Sequence, residues 1–356
     1  MNNNEISDKR TLKDFKGITF SNYKKSESKK ELLNSLIEGR IEPACYWSIE
    51  FICAGHFLEL WDIILIFYSQ HINTSNPKLP LYMEMRFNNF KDIIFNGYVD
   101  NELQLRNNPK IRLLFAEMIT ILCLSTKTHA LTLVKVNANN LNITNISDKL
   151  KADSVNYGNI FFKREDPKEL FIAINEFVYH LRHTKNSRET CYWFEWIIEY
   201  EGLCKREKKN RIVCAQRHFM PIENKYKTDI ICLIWEILLK ECDGMHVNGI
   251  IRAIFELFCI KFKPNIKKKR RFLIYSSIVF ITNNINLNIN IYTEESKILN
   301  IKDKINTIYK QIKKNEIKPN TDYLFNNSIT QRGNLEKTIE KLEMIGSLNT
   351  IIPRNK

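Results

Sequence analysis

Apolar stretches of helical length alternate along this chain with short polar or punctuated breaks, and within most stretches apolar residues recur every three or four positions. Ser26 or Ser28 can cap a first helix running through Leu32, Leu33 and Leu36 towards Gly39. Glu42-Pro43 then opens a second helix, because the N–H that Pro lacks is unsatisfied at the first helical position in any case. That helix is expected to end near Gly55. Leu58, Trp61, Ile64, Leu65 and Tyr68 mark the next, with Asn76-Pro77-Lys78-Leu79-Pro80 as the following turn. Further helices are expected at about 80–95, 109–124 and 167–183, from 188, and at 229–242 and 272–281.

Two stretches break the helical period. Leu131, Leu133, Val134 and Val136, interrupted by Thr132 and Lys135, form an apolar β-branched run too short for a helix, and Ile160-Phe161-Phe162 follows after an Asn-rich loop. A minor β or extended element near 130–162 is expected there. Residues 283–291 alternate Asn with Ile or Leu, which suits either a strand or low-complexity sequence. Ile298, Ile301, Ile305, Ile308 and Ile312, and later Leu335, Ile339 and Leu342, restore a three-four spacing among lysines. Such seams dock one amphipathic helix or form a short coiled coil.

A short pattern occurs twice. Cys45-Tyr46-Trp47, with Gly55 after it, recurs as Cys191-Tyr192-Trp193 with Gly202 after it. Each copy leads to an aromatic-rich apolar helix, around Trp61 and around Trp235. Each then reaches a Pro, a basic cluster and another apolar helix. The fold class expected is therefore mainly α, with a duplicated helical-hairpin module arranged as a bundle or a solenoid-like stack. The chain divides into a flexible polar N-terminus (1–25), a first helical module (26–129), a connecting segment (130–165), a second module (166–292) and charged amphipathic C-terminal helices (293–356).

Composition adds constraints. An apolar fraction of 44% over 356 residues is ample for a sizeable core. The formal charge of +14 favours an acidic partner, DNA or RNA first. Abundant Asn, Lys and Ile also match A/T-rich codons, so some lysines can reflect base composition alone. The nine cysteines show no paired secretory framework, and Cys45, Cys53, Cys123, Cys232 and Cys259 lie in apolar stretches. With no signal-like N-terminus and no apolar run long enough to span a bilayer, a reducing compartment and no membrane role are expected.

Catalytic signatures are sparse. Phosphate-binding glycine loops, nucleophile elbows and metalloprotease helices have no counterpart here. Cys204, Cys214 and His218, flanked by Cys191 and Cys232, lack the closely spaced Cys pair that lowers the entropy of closing a zinc site, so no metal and no cofactor is assigned. Glu50, Glu59 and Asp62 read as salt-bridge partners rather than paired catalytic carboxylates. His56 reads as a helix C-terminal cap, and His180 and His183 as surface residues. No catalytic residue is nominated, and the protein is read as non-enzymatic.

Basic residues make the stronger case. Residues 201–271 hold 17 Lys and Arg against 8 Asp and Glu. Two clusters dominate: Lys205, Arg206, Lys208, Lys209 and Arg211, then Lys267, Lys268, Lys269, Arg270 and Arg271. The second leads into an apolar helix, where cations oppose the helix dipole by roughly 0.3–1 kcal/mol each. A phosphate backbone would relieve that conflict. Both clusters are therefore assigned to sequence-independent, salt-sensitive nucleic-acid binding, with a nuclear-localisation-type peptide or a solvated turn between helices as the competing readings.

The run Arg40-Ile41-Glu42-Pro43-Ala44-Cys45-Tyr46-Trp47, with Ala54-Gly55-His56, Leu60-Trp61 and Asn76-Pro77-Lys78-Leu79-Pro80, resembles an uncharacterised core protein of nucleocytoplasmic large DNA viruses of the phycodnavirus and mimivirus type. The resemblance extends over roughly residues 30–330. It implies a role in a viral replication cycle, in a cytoplasmic viral factory or the nucleus of the host, and brings no catalytic residues with it. A weaker likeness joins residues 42–66 to the collar helices of clamp-loader ATPases and implies subunit association. The function expected is an accessory factor of viral DNA replication or transcription. The alternative is a virion or assembly protein acting through contacts with other viral proteins or with itself.

Overall fold

The computed structural model describes residues 5–96, 101–207 and 212–319. The chain is mainly α-helical. Its helices are α1 (Lys25–Ile37), α2 (Ile41–Cys53), α3 (Phe57–Phe67), α4 (Leu79–Phe95), α5 (Glu102–Asn107), α6 (Pro109–Leu124), α7 (Asn156–Asn159), α8 (Phe171–Tyr179), α9 (Ser187–Arg206), α10 (Ile230–Glu241), α11 (Asn248–Cys259), α12 (Ile266–Lys269), α13 (Arg271–Thr282) and α14 (Glu295–Lys313). Both α3 and α8 run on into a π-helical turn, at Tyr68–Ile72 and His180–Thr184.

Local chemistry sets most boundaries. Asn108, Asn186 and Asp229 accept backbone N–H bonds at the starts of α6, α9 and α10, and Pro109 takes the first position of α6. Gly55 follows α2 with φ +76°, where a Cβ would also meet Leu12 and Glu102 at 3.0–3.1 Å, so only glycine fits this turn.

Both Cys-Tyr-Trp segments lie in helices. In the first module the Cys-Tyr-Trp helix α2 packs against α6, and in the second its counterpart α9 packs against α13. Trp61 of α3 lies against Phe87, Phe90 and Phe115, much as Trp235 of α10 lies against Phe255 and Phe258. Elsewhere the copies diverge. Gly202 lies within α9, whereas Gly55 ends a helix. Trp193 is fully buried, while Trp47 is half-buried with its edge against Tyr23.

The two modules are not separate bodies. One continuous apolar core runs from Ile6 to Ile312, and α4 packs on α11 across the junction. Burial on this scale, at roughly 25 cal/mol per Å² of apolar area, favours one cooperative unit. α14 closes the first module by packing on α2 and α6, with Ile298, Ile301, Ile305 and Ile312 buried. It is thus a docked helix. The later seam of Leu335, Ile339 and Leu342 lies outside the described residues.

Two expectations need correction, and a third, the β or extended element, is met without a β-ladder. Described residues of the N-terminus, expected to be flexible, are packed: Ile6, Phe15 and Phe20 are buried, and the Arg10 and Arg106 guanidinium groups lie 4.7–5.7 Å from the Phe15 and Phe20 ring centres. Asp8 pairs with Arg10 at 2.6 Å. No ladder forms near 130–162 or 283–291; the one β-bridge among the described residues joins Ile18 and Lys24. Residues 126–137 instead run without turn or bend, and short 3₁₀ turns and α7 follow. His180 is buried rather than exposed, its Nδ1 3.0 Å from the Thr184 hydroxyl.

Candidate nucleic-acid interface

The described residues of the two basic clusters differ in environment. Lys267 to Arg271 span α12 and the start of α13, where the chain turns between helices. Lys267 is buried, with Nζ 2.6 Å from Glu201 and 2.9 Å from Asp229. Lys268 pairs with Glu199 at 2.6 Å, and Arg271 with Glu195 at 2.9 Å. Arg270 is only 3% exposed; it donates two bonds to Asp62 and one each to the Phe258 and Ile260 carbonyls. Lys269 also reaches Asp62, at 2.6 Å.

The dipole conflict at α13 is therefore relieved internally. Glu195, Glu199 and Glu201 come from α9, Asp229 from the N-cap of α10, and Asp62 from α3 of the other module. Burial pushes the Glu195 carboxyl above its ordinary range, opposed by Arg271 and a bond from the Tyr275 hydroxyl. An isolated buried charge costs several kcal/mol, so these cations depend on their carboxylates. Lys267 and Arg270 cannot reach a phosphate without breaking that network. Their assignment to a nucleic-acid site is withdrawn, and the segment is an inter-helix clamp.

Lys205 and Arg206 behave differently. They occupy the last turn of α9, exposed and without an ion pair among the described residues. Their charge suits the negative end of the helix, worth about 0.3–1 kcal/mol each. Lys208, Lys209 and Arg211 lie outside the described residues.

Sequence reading missed the rest of this surface. Lys205 and Lys225 line one shallow notch together with Tyr226 and Pro264. Lys225 pairs with Glu223 at 2.6 Å, and this bond, with Lys263 and Lys261 nearby, holds the Glu223 carboxyl below its ordinary range. Lys261 has φ +44°, directly after the end of α11. Lys227 donates to the His218 carbonyl at 3.4 Å, and the adjacent Phe219 is half-exposed against Phe255. Three separate segments thus bring Lys205, Lys225, Lys261 and Lys263 to one face, with Arg206 exposed beside Lys205 in sequence. No local run announces them, because Lys225, Lys261 and Lys263 are single cations in loops.

The remaining candidates resolve as structural groups. All nine cysteines are free and buried, and burial pushes the thiols of Cys123, Cys214 and Cys232 up to about 12. Cys204 and Cys214 are buried while His218 is exposed, and no group of three His, Cys, Asp or Glu side chains suited to a metal comes together among the described residues. His56 does not cap α2 with its side chain; its Nε2 lies 3.1 and 3.0 Å from the Phe15 and Ile18 carbonyls. Glu50 accepts from the backbone and hydroxyl of Ser21, and Glu59 pairs with Lys25. No helix among the described residues is long and apolar enough to cross a membrane.

Comparison with protein-family models, with curated proteins and with solved structures finds no match to this chain. A functional reading therefore rests on the geometry above.

Proposed function

We propose that this protein is a non-enzymatic helical accessory factor of viral DNA replication or transcription that binds DNA or RNA with little sequence preference. The observation that carries the reading is the convergence of Lys205, Lys225, Lys261 and Lys263 from three segments onto one exposed face. Lysines beside half-buried Tyr226 suit phosphate contacts with occasional base stacking. They provide no rigid set of donors for reading base edges. The non-enzymatic part draws support from thiols held protonated by burial and from carboxylates committed to ion pairs.

Fluorescence anisotropy with a labelled 20-base-pair duplex and a single strand of equal length tests it. Affinity is expected to fall steeply with salt and to vary little with sequence. Salt-insensitive binding, or none at low ionic strength, refutes it.

The assembly reading has a specific feature in its favour: Tyr23, Tyr46 and Trp47 form an edge-to-face cluster, with Tyr23 45% exposed and the other two half-buried. Aromatic side chains of this kind favour protein contacts. Tyr23→Ser with Trp47→Ser would disrupt such an association and leave nucleic-acid binding unchanged.

A further inference from the structure

A second feature lies away from the basic face, beside the N-terminal turns of α9. Here a cleft of about 930 Å³ opens between residues 129–137 and α9, floored by Tyr275 and Val279 of α13. Its long wall is the chain segment 126–137, which carries no turn or bend. This wall is fixed in place. The Leu131 N–H donates to the Gln70 carbonyl at 2.9 Å, and the Val134 N–H to the Tyr275 hydroxyl at 3.2 Å. Leu131, Val134 and Val136 pack on the core.

Between and beyond those fixed points, backbone donors are free. The amides of Thr132, Leu133, Lys135 and Val136 have no partner among the described residues. An apolar, β-branched segment with unpaired amides beside an open cleft has the properties of an exposed sheet edge. Leu133, 45% exposed, offers an apolar contact at the same place.

Charge selects the occupant. Lys135, Lys149 and Arg188 line the cleft without an ion pair among the described residues, and Glu189 is the one carboxylate among the lining residues. Lys149 is also placed 4.4 Å from the Tyr192 ring centre. The first amides of α9 are not available to a small anion, because Asn186 already accepts from the N–H groups of Arg188 and Glu189. What remains is a row of free amides on this wall, with Lys135 on the wall itself and Lys149 and Arg188 among the other lining residues.

We infer that this cleft binds an acidic peptide segment of a partner protein in extended conformation, added as a strand along residues 131–136. Main-chain hydrogen bonds to the free amides on one edge, at alternate residues, supply affinity, and Asp or Glu side chains facing Lys135, Lys149 and Arg188 supply selectivity. The site is separate from the face assigned to nucleic acid and does not depend on that reading.

The test uses the full chain and a displayed library of random dodecapeptides. Selected sequences are expected to be enriched in Asp and Glu over the input. A synthetic peptide from the selected pool should bind Lys135→Glu/Arg188→Glu at least tenfold more weakly; both side chains are exposed, and an unchanged Tm confirms the fold. Binding of that peptide should slow hydrogen exchange at residues 132–136, and N-methylation of its backbone at alternate positions should abolish the interaction. The inference is overturned if acidic sequences are not enriched, if the variant binds equally well, or if exchange slows elsewhere. Displacement of the peptide by an equimolar oligonucleotide would also overturn it, by placing nucleic acid in the cleft.

Discussion

Asp62→Ala is the sharpest test of the inter-module clamp. The Asp62 carboxylate joins the two modules, meeting the Arg270 guanidinium at 2.6 Å and the Lys269 ammonium at 2.6 Å. Removing it leaves Arg270 buried, with two carbonyl acceptors but no counter-charge. One-sided loss of a buried pair costs about 3–5 kcal/mol. Because the Asp62 side chain keeps 12% of its surface in solvent, the lower end applies, about 3 kcal/mol. At about 2 °C per kcal/mol for a chain of this size, Tm should fall by roughly 6 °C in a calorimetric scan. Lys269→Gln is the control: its side chain is 42% exposed, so its loss should cost under about 1 kcal/mol. Asp62→Leu with Arg270→Met should recover part of the loss, since apolar replacement removes the stranded charge. A Tm for Asp62→Ala within 1 °C of wild type would show that the clamp does not hold the modules together.

Other outcomes follow from the same packing. Arg106→Met removes bonds to the Cys53 and Arg10 carbonyls and the stacking on Phe15, and should cost about 2–3 kcal/mol, with earlier proteolysis of the N-terminal segment. Deleting residues 1–20 should lower Tm further, because it uncovers His56 and the end of α2. Below pH 6.5 stability should decline: burial lowers the pKa of His71 and His180, so the unfolded chain takes up protons there that the folded chain resists. A second decline is expected below about pH 4. Burial works against the Asp8 and Asp166 charges, but Arg10 and Arg217 outweigh it and hold both carboxyls low, so the stability they give is lost on protonation. A pH series of Tm values that stays flat from 7 to 5 would contradict the histidine assignment. Ellman titration of the native protein should find almost no fast thiols, against nine after denaturation.

The helices were legible because their apolar positions keep a 3.6-residue period between strong breakers; α4 and α6 begin within a residue of Pro80 and Pro109. Residues 1–25 misled because their buried residues, Ile6, Phe15 and Phe20, are too far apart to form a pattern, and their partners are His56, Arg106 of α5 and Tyr309 of α14. The 130–137 run has strand-like composition, but a strand also needs a neighbour, and among the described residues none pairs alongside it. The basic clusters could not be told apart from residue type alone. What separates them is the distance in sequence of the carboxylates: Glu195 lies 76 residues from Arg271, and Asp62 208 residues from Arg270. Only the packing of α9 and α3 against α12 and α13 shows which cations are already neutralised.

The most direct measurement of the central claim is the salt dependence of duplex binding by wild type, Lys205→Gln/Arg206→Gln and Lys268→Gln/Lys269→Gln. Each phosphate contact contributes about −0.9 to the slope of log K against log salt. Losing two contacts at the end of α9 should make the slope shallower by roughly 1.8, while the clamp variant keeps the wild-type slope. An unchanged slope for the α9 variant, or equal flattening by the clamp variant, would contradict the assignment of this face to nucleic acid.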